Sequence, residues 1–194
     1  MRQERHHPRI ETERLILTIP TPDDASRMLQ YVTDNKEHLA PWEPLKTDEY
    51  FTREFWFDRL SRAVEESHSP QSLLLVLLDR ANPVGPFVGQ VHFSNITYGV
   101  FQAAHLGYSL DHRATGKGLM TEALTSAIKY VFEELNLHRV MANYMPGNEK
   151  SAKLLQRLGF SVEGHARDYL RLAGEWQDHT LTSLINESWK EVVS

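Results

Sequence analysis

Cysteine is absent from the 194 residues. The chain can therefore form no disulfide, carries no thiol nucleophile and cannot ligate metal through thiolate. Long apolar runs are also lacking. None approaches the roughly 18 to 20 residues of a membrane span, and the start, Met1-Arg2-Gln3-Glu4-Arg5-His6-His7-Pro8, has no apolar core of a signal peptide. A soluble, cytoplasmic protein is expected. Positive charge is not in excess: the net charge is −5, which argues against general nucleic-acid binding, DNA included, and mildly favours a basic peptide partner. The ten histidines include no His-Glu-x-x-His or similar spacing, so no metal site is expected. Repeats, linkers and low-complexity segments are missing, which leaves one domain over residues 1–194, with residues 1–9 flexible.

What is present is ordinary globular material, 41% hydrophobic and 24% charged, enough for one sizeable core. The most informative stretch runs from Leu106 to Leu135. Leu106, Tyr108 and Leu110 alternate as in a strand, Gly116-Lys117-Gly118 punctuates a turn, and Met120, Ala123, Leu124, Ala127, Ile128, Val131 and Leu135 then follow helical spacing. The first amides of a helix lack intrahelical acceptors and sit at the positive end of its dipole. Glycines let the backbone approach an anion closely, and Lys117 adds a charge. The turn is a candidate phosphate site. It is neither a P-loop nor a dinucleotide fingerprint, because Met120 and Thr121 follow where Lys-Ser/Thr or a third glycine is needed.

The rest of the chain punctuates itself. Thr12–Ile19 alternates as a strand, and Thr21-Pro22-Asp23-Asp24 opens a helix reaching about Val32. His38–Pro44, with two prolines around Trp42 and Glu43, is expected to be an irregular loop. A helix follows from Asp48 to about Val64. Strands are expected at 72–79 and 87–96 as a hairpin, at 103–110 and at 138–144. Asn148-Glu149-Lys150-Ser151 caps a helix that ends at Gly159. A final hairpin joins Phe160–Leu172 to Trp176–Ile185 over Ala173-Gly174-Glu175. The order β-α-α-β-β-β-α-β-α-β-β specifies an α/β (α+β) fold with one mixed sheet and helices on both faces.

That order, the turn and the motif Asn148-x-x-Ser151-x-x-Leu154-Leu155-x-x-x-Gly159-Phe160 together resemble the GNAT N-acetyltransferases. Two registers fit the family's pyrophosphate turn, Arg113-x-x-Gly116-x-Gly118 and Thr115-Gly116-Lys117-Gly118-Leu119-Met120; the second is preferred, and it departs from the family at Thr115 and Met120. Thr12-Glu13-Arg14-Leu15, Pro41-Trp42-Glu43-Pro44, Met141-Ala142-Asn143-Tyr144-Met145-Pro146 and Asp178-His179 extend the resemblance to the branch that acetylates the N-terminal alanine of ribosomal protein five of the small subunit. The resemblance implies a largely antiparallel sheet splayed in the middle and acetyl-CoA as co-substrate. Tyr108, Ser109 and Leu110 would pair with the pantetheine arm. Thr115, Gly116, Lys117, Gly118, Leu119 and Met120, with Arg113 as a further donor, would hold the pyrophosphate. Asn148 and Ser151 would lie near the thioester. Many members carry an acid tyrosine where this chain has Leu155.

The implied chemistry is direct attack of a neutral amine on a thioester in a ternary complex. An α-amine titrating near 7.7–8.0 is about a tenth neutral at pH 7, whereas a lysine at about 10.4 is neutral well under a thousandth of the time, a gap of about 3.5 kcal/mol. The lack of an obvious carboxylate base therefore favours an N-terminal acceptor. Ser151, with Tyr144, is a candidate donor to the sulfur, and His105 or Tyr108 a candidate proton relay. Trp42, Glu43, Tyr169 and His179 are candidates for the acceptor groove. Alternatives are a small-amine acetyltransferase for a polyamine, antibiotic or amino acid, and a ribosome-associated assembly factor with secondary catalysis. The expected partner is a ribosomal-protein N-terminus, met during transient ribosome association; monomer and homodimer both remain open.

Overall fold

The computed structural model describes residues 8–66 and 71–191. His6 and His7, and most of the segment expected to be flexible, lie outside them. The end of that segment is a correction: Arg9–Glu11 forms a strand, β1, with Arg9 opposite Thr18 of β2 (Leu15–Thr18). A three-residue edge strand with one half-buried side chain carries too little alternation to be read beforehand. Helix α1 (Ala25–Asp34) follows a 3-10 turn at Pro22–Asp24. Next come α2 (Lys36–Leu39) and a 3-10 turn at Ala40–Trp42. Part of the expected irregular loop is thus helical, because Pro41 stands at the start of its turn, where its missing N–H leaves no bond unmade.

The remaining elements are α3 (Arg53–Glu66), β3 (Leu73–Asp79), β4 (Gly89–Thr97), β5 (Ala103–Leu110), α4 (Leu119–Glu133), β6 (Arg139–Met141), α5 (Glu149–Arg157), β7 (Ser161–Leu172) and β8 (Glu175–Ile185). The last two join over Ala173 and Gly174, both at positive φ (49° and 87°), as a tight hairpin turn requires. The described residues form one eight-stranded sheet in the order β1-β2-β3-β4-β5-β6-β8-β7. Only β5 and β6 run parallel; the other neighbours are antiparallel. This is the mixed, largely antiparallel sheet expected.

Two apolar cores cover its two faces. Leu15, Leu17, Leu75, Leu77, Val91, Phe93, Ala104 and Leu106 pack with Leu124, Ile128 and Val131 of α4 and Leu154 and Leu155 of α5. On the other face Ile16, Val76 and Leu78 meet Met28 and Val32 of α1 and Trp56 and Leu60 of α3. Covered on both sides, β3 has to be apolar at nearly every position, which explains its unbroken Leu-Val run. The β4–β5 pair differs. Its first face is apolar, but the alternate positions are Gln90, His92 and Ser94 on β4 and His105, Gly107 and Ser109 on β5. A polar strip therefore runs along the middle of the sheet beside the second core.

Gly89 brings β4 close to the end of β5: a Cβ there would lie 2.5 Å from the Ser109 carbonyl oxygen and 2.9 Å from a Leu110 methyl. We expect Gly89→Ala to cost about 1–3 kcal/mol of stability, seen as a lower urea midpoint with unchanged slope, because strands at the heart of the sheet must separate to admit one methyl group.

Candidate active site

Strand β5 is joined to β6 at only three registers, Ala103↔Arg139, Ala104↔Val140 and His105↔Met141. Beyond them β6 turns away: Ala142 N–H donates to Thr182 O (3.0 Å) and Tyr144 N–H to Thr180 O (3.2 Å), both on β8. From Leu106 to Leu110, β5 keeps β4 on one side, and among the described residues no strand pairs with its other edge. This is the expected splay. An extended chain can add itself to such an edge, and at Gly107 a Cβ would meet nothing within 4 Å.

The edge leads into the glycine turn. Asp111, 4% exposed, anchors it. Its carboxylate accepts from Arg113 N (2.8 Å), Nε (2.8 Å) and Nη2 (2.6 Å) and from Asn35 Nδ2 (3.2 Å). Asn35, fully buried at the end of α1, also accepts from His112 N (2.8 Å). Hydrogen bonds from the Arg113 side chain hold the Asp111 carboxyl well below the usual carboxylate range, against burial, which acts the other way. Arg113 reaches Asp34 as well, at 3.3 Å, so its guanidinium is engaged in building the turn. Gly116 and Gly118 have φ of +77° and +76°, where side chains are rare. Space is open around the Cβ position of Gly116. The first intrahelical bond of α4 is Glu122 N–H to Gly118 O (3.1 Å), which leaves the amides of Leu119, Met120 and Thr121 without intrahelical acceptors. Leu119 and Met120 send their side chains into the first core, Lys117 is exposed, and Thr115 Oγ1 donates to His112 O (3.0 Å).

Ser151 lies in the first turn of α5. Capping there is done by Asn148, whose Oδ1 accepts Ser151 N–H (3.1 Å), so the serine hydroxyl is left for another partner. It lies 2.5 Å from Tyr108 Oη. Burial pushes the Tyr108 phenol up to about 12, with the Ser151 hydrogen bond opposing and Tyr144 adding to the rise. Tyr108 and Tyr144 both pack on the first core, so Ser151, Tyr108 and Tyr144 share one side of the sheet. His105 points to the other, by strand alternation. Its Nδ1 is buried with no hydrogen-bond partner, and burial lowers its pKa. Leu155 is 1% exposed and belongs wholly to the core.

The candidate acceptor residues are linked through the β7–β8 hairpin. Glu43 O accepts from Ala173 N at the hairpin tip (2.9 Å), while its carboxylate pairs with Lys46 (3.2 Å). Trp42, 39% exposed, precedes it. Further along, the Tyr169 ring lies 5.4 Å from that of buried His179, and Tyr169 Oη accepts from Asn143 Nδ2 (3.1 Å). Several structural partners went unread in the sequence. Tyr31 of α1 shares a 2.9 Å hydrogen bond with Ser109, Asn35 holds the turn, and Arg14 meets Glu122 at 2.6 Å. Each pair lies far apart in the chain.

Because the Asp111 carboxyl is depressed in the folded state, the stability it contributes is complete above its unfolded pKa of about 3.9 and is lost as pH falls below that value. We expect Asp111→Asn to cost about 1–3 kcal/mol at pH 7. The gap from the parent should narrow in melts taken between pH 5 and pH 3.

Residues 14–161 match the acetyltransferase (GNAT) domain. The chain is 40% identical over 181 residues to the ribosomal protein uS5-alanine N-acetyltransferase of Escherichia coli (strain K12), covering 93% of this chain and 92% of that enzyme. The structure of the ribosomal-protein-S5-alanine acetyltransferase from Vibrio fischeri superposes with a TM-score of 0.90 at 42% identity, over 95% of this chain and 100% of that one. RimJ of Mycobacterium smegmatis, in complex with CoA-disulfide, gives 0.83 at 29% identity, over 91% and 84%. A match running from Arg14 to Ser161 takes in both the parted strands and the glycine turn, and the chain belongs to the GNAT acetyltransferases.

Proposed function

We propose that this chain, acting in the cytoplasm as a single GNAT domain, transfers the acetyl group of acetyl-CoA to the N-terminal α-amine of ribosomal protein uS5. The acceptor rests on the 40% identity, over nearly the full length, with an enzyme named for it. The observation that carries the chemistry is the Tyr108–Ser151 contact beside the free edge of β5. Acetyl-CoA supplies an activated acyl carbon. The residues present fit it: backbone amides and carbonyls of Leu106–Leu110 for the amide-bearing arm, open space at Gly107 and Gly116, and the amides opening α4 for the diphosphate.

Tyr108 and Ser151 stand ready to donate to a departing sulfur. Their role is a hydrogen bond, not a full proton transfer: moving a proton from a phenol at about 12 to a thiolate at about 8.5 is uphill by about 5 kcal/mol. The proton released by the amine needs a different receiver. His105, half-buried on the opposite side of β5 and kept toward its neutral form by burial, is the group we assign to take it. Positioning the two reactants supplies most of the remaining rate.

The direct test is mass spectrometry of a peptide with an N-terminal alanine and an internal lysine, incubated with acetyl-CoA. One acetyl group on the α-nitrogen is expected; acetylation only at lysine would overturn the proposed acceptor. Tyr108→Phe and Ser151→Ala should each lower kcat about tenfold with little change in KM. The double variant should fall short of the product of the two losses, since both remove one hydrogen bond. The rate with the peptide at subsaturating concentration should rise from pH 6 to about 8 and then level off, following the α-amine.

A further inference from the structure

The loop between β1 and β2 crosses the start of α4. Arg14 Nη1 donates to Lys117 O (2.9 Å), inside the glycine turn. The same side chain pairs with Glu122 through Nε (2.7 Å) and Nη2 (2.6 Å), and Arg14 N–H donates to Glu122 Oε1 (2.7 Å). Thr12 Oγ1 donates to that oxygen as well (2.6 Å). The loop is fixed from behind by Arg80, whose Nη1 donates to Thr12 O (2.8 Å) and whose N–H donates to Arg14 O (2.9 Å). Burial raises the pKa of Glu122, but the bonds from Thr12 and Arg14 outweigh it and keep the carboxyl below its ordinary value.

One consequence follows from peptide geometry. The carbonyl of Lys117 and the N–H of Gly118 belong to one trans peptide and point in opposite directions. With the carbonyl held by Arg14, the Gly118 N–H is fixed pointing away from the guanidinium, next in the chain to the free first amides of α4. A second consequence is electrostatic. Glu122 is an anion in the first turn of the helix that would receive a diphosphate, and the guanidinium neutralises it there. We infer that Arg14 is a positioning residue for the diphosphate of the acyl donor, acting through the Lys117–Gly118 peptide and the charge of Glu122. This rests on the acetyl-CoA reading of the turn and extends it to a side chain from the opposite end of the chain.

The test compares two donors, acetyl-CoA and S-acetylpantetheine, which has the thioester arm but no phosphate. Arg14→Ala should raise KM for acetyl-CoA about tenfold, the equivalent of one charge-assisted hydrogen bond, with kcat unchanged, and leave KM for S-acetylpantetheine within twofold. Arg14→Lys, which can neutralise Glu122 but cannot span both partners, should give an intermediate KM for acetyl-CoA and guards against a failure of the alanine variant to fold. Equal losses with both donors, or none with acetyl-CoA, would overturn the inference. If the parent enzyme itself uses the two donors with equal KM, the reading of the turn as a diphosphate site falls instead.

Discussion

The arrangement depends on where one ladder of hydrogen bonds stops. β5 and β6 are the sheet's parallel pair, and they hold each other only from Ala103 and Arg139 as far as His105 and Met141. β6 then follows β8, to which Ala142 and Tyr144 donate, while β5 stays with β4 as far as Leu110. An unpaired edge inside a sheet is normally a liability; here it lies beside a helix start whose own first amides are unpaired. Both are backbone features, so this part of the site asks little of side chains beyond the glycines that shape it.

Alternation along β5 then divides the labour. Tyr108 faces α5, where Ser151 meets it, and His105 faces the polar strip on the other side. The roles proposed for them, a donor to sulfur and a receiver for the amine proton, have opposite requirements. The first has to stay protonated, which burial of the phenol favours; the second has to start neutral, which burial of the imidazole favours. On opposite sides of one strand the two groups cannot hydrogen-bond each other.

Much of this was legible in the sequence because it is periodic. The boundaries of β5 came from Ala103–Leu110, the helix from the spacing of Met120 to Val131, and the last hairpin from two alternating runs around Ala173-Gly174. β1 was not legible: three residues, Arg9-Ile10-Glu11, give no period. The turn after Pro41 was misjudged, because a proline reads as a breaker although it opens a helical turn as readily as it ends one. Pairings across the fold were out of reach for a different reason. Arg14 and Glu122 are 108 positions apart, Asn35 and His112 77; local pattern carries no information about which distant polar groups will share a buried site.

Leu155 makes the same point from the side of chemistry. The family resemblance implies an acid tyrosine at that position, so that leucine there reads as the loss of an acid. In this fold Leu155 is sealed in the core with Leu154 and Phe160, where a hydroxyl would need a partner or cost stability. The phenol proposed for that role is Tyr108, on a neighbouring strand, with Ser151, one turn before Leu155, closing the contact. On the proposed chemistry the requirement is for a donor at a place beside the sulfur, not for a residue at a place in the chain. A strand and a helix that converge on one point can each supply it.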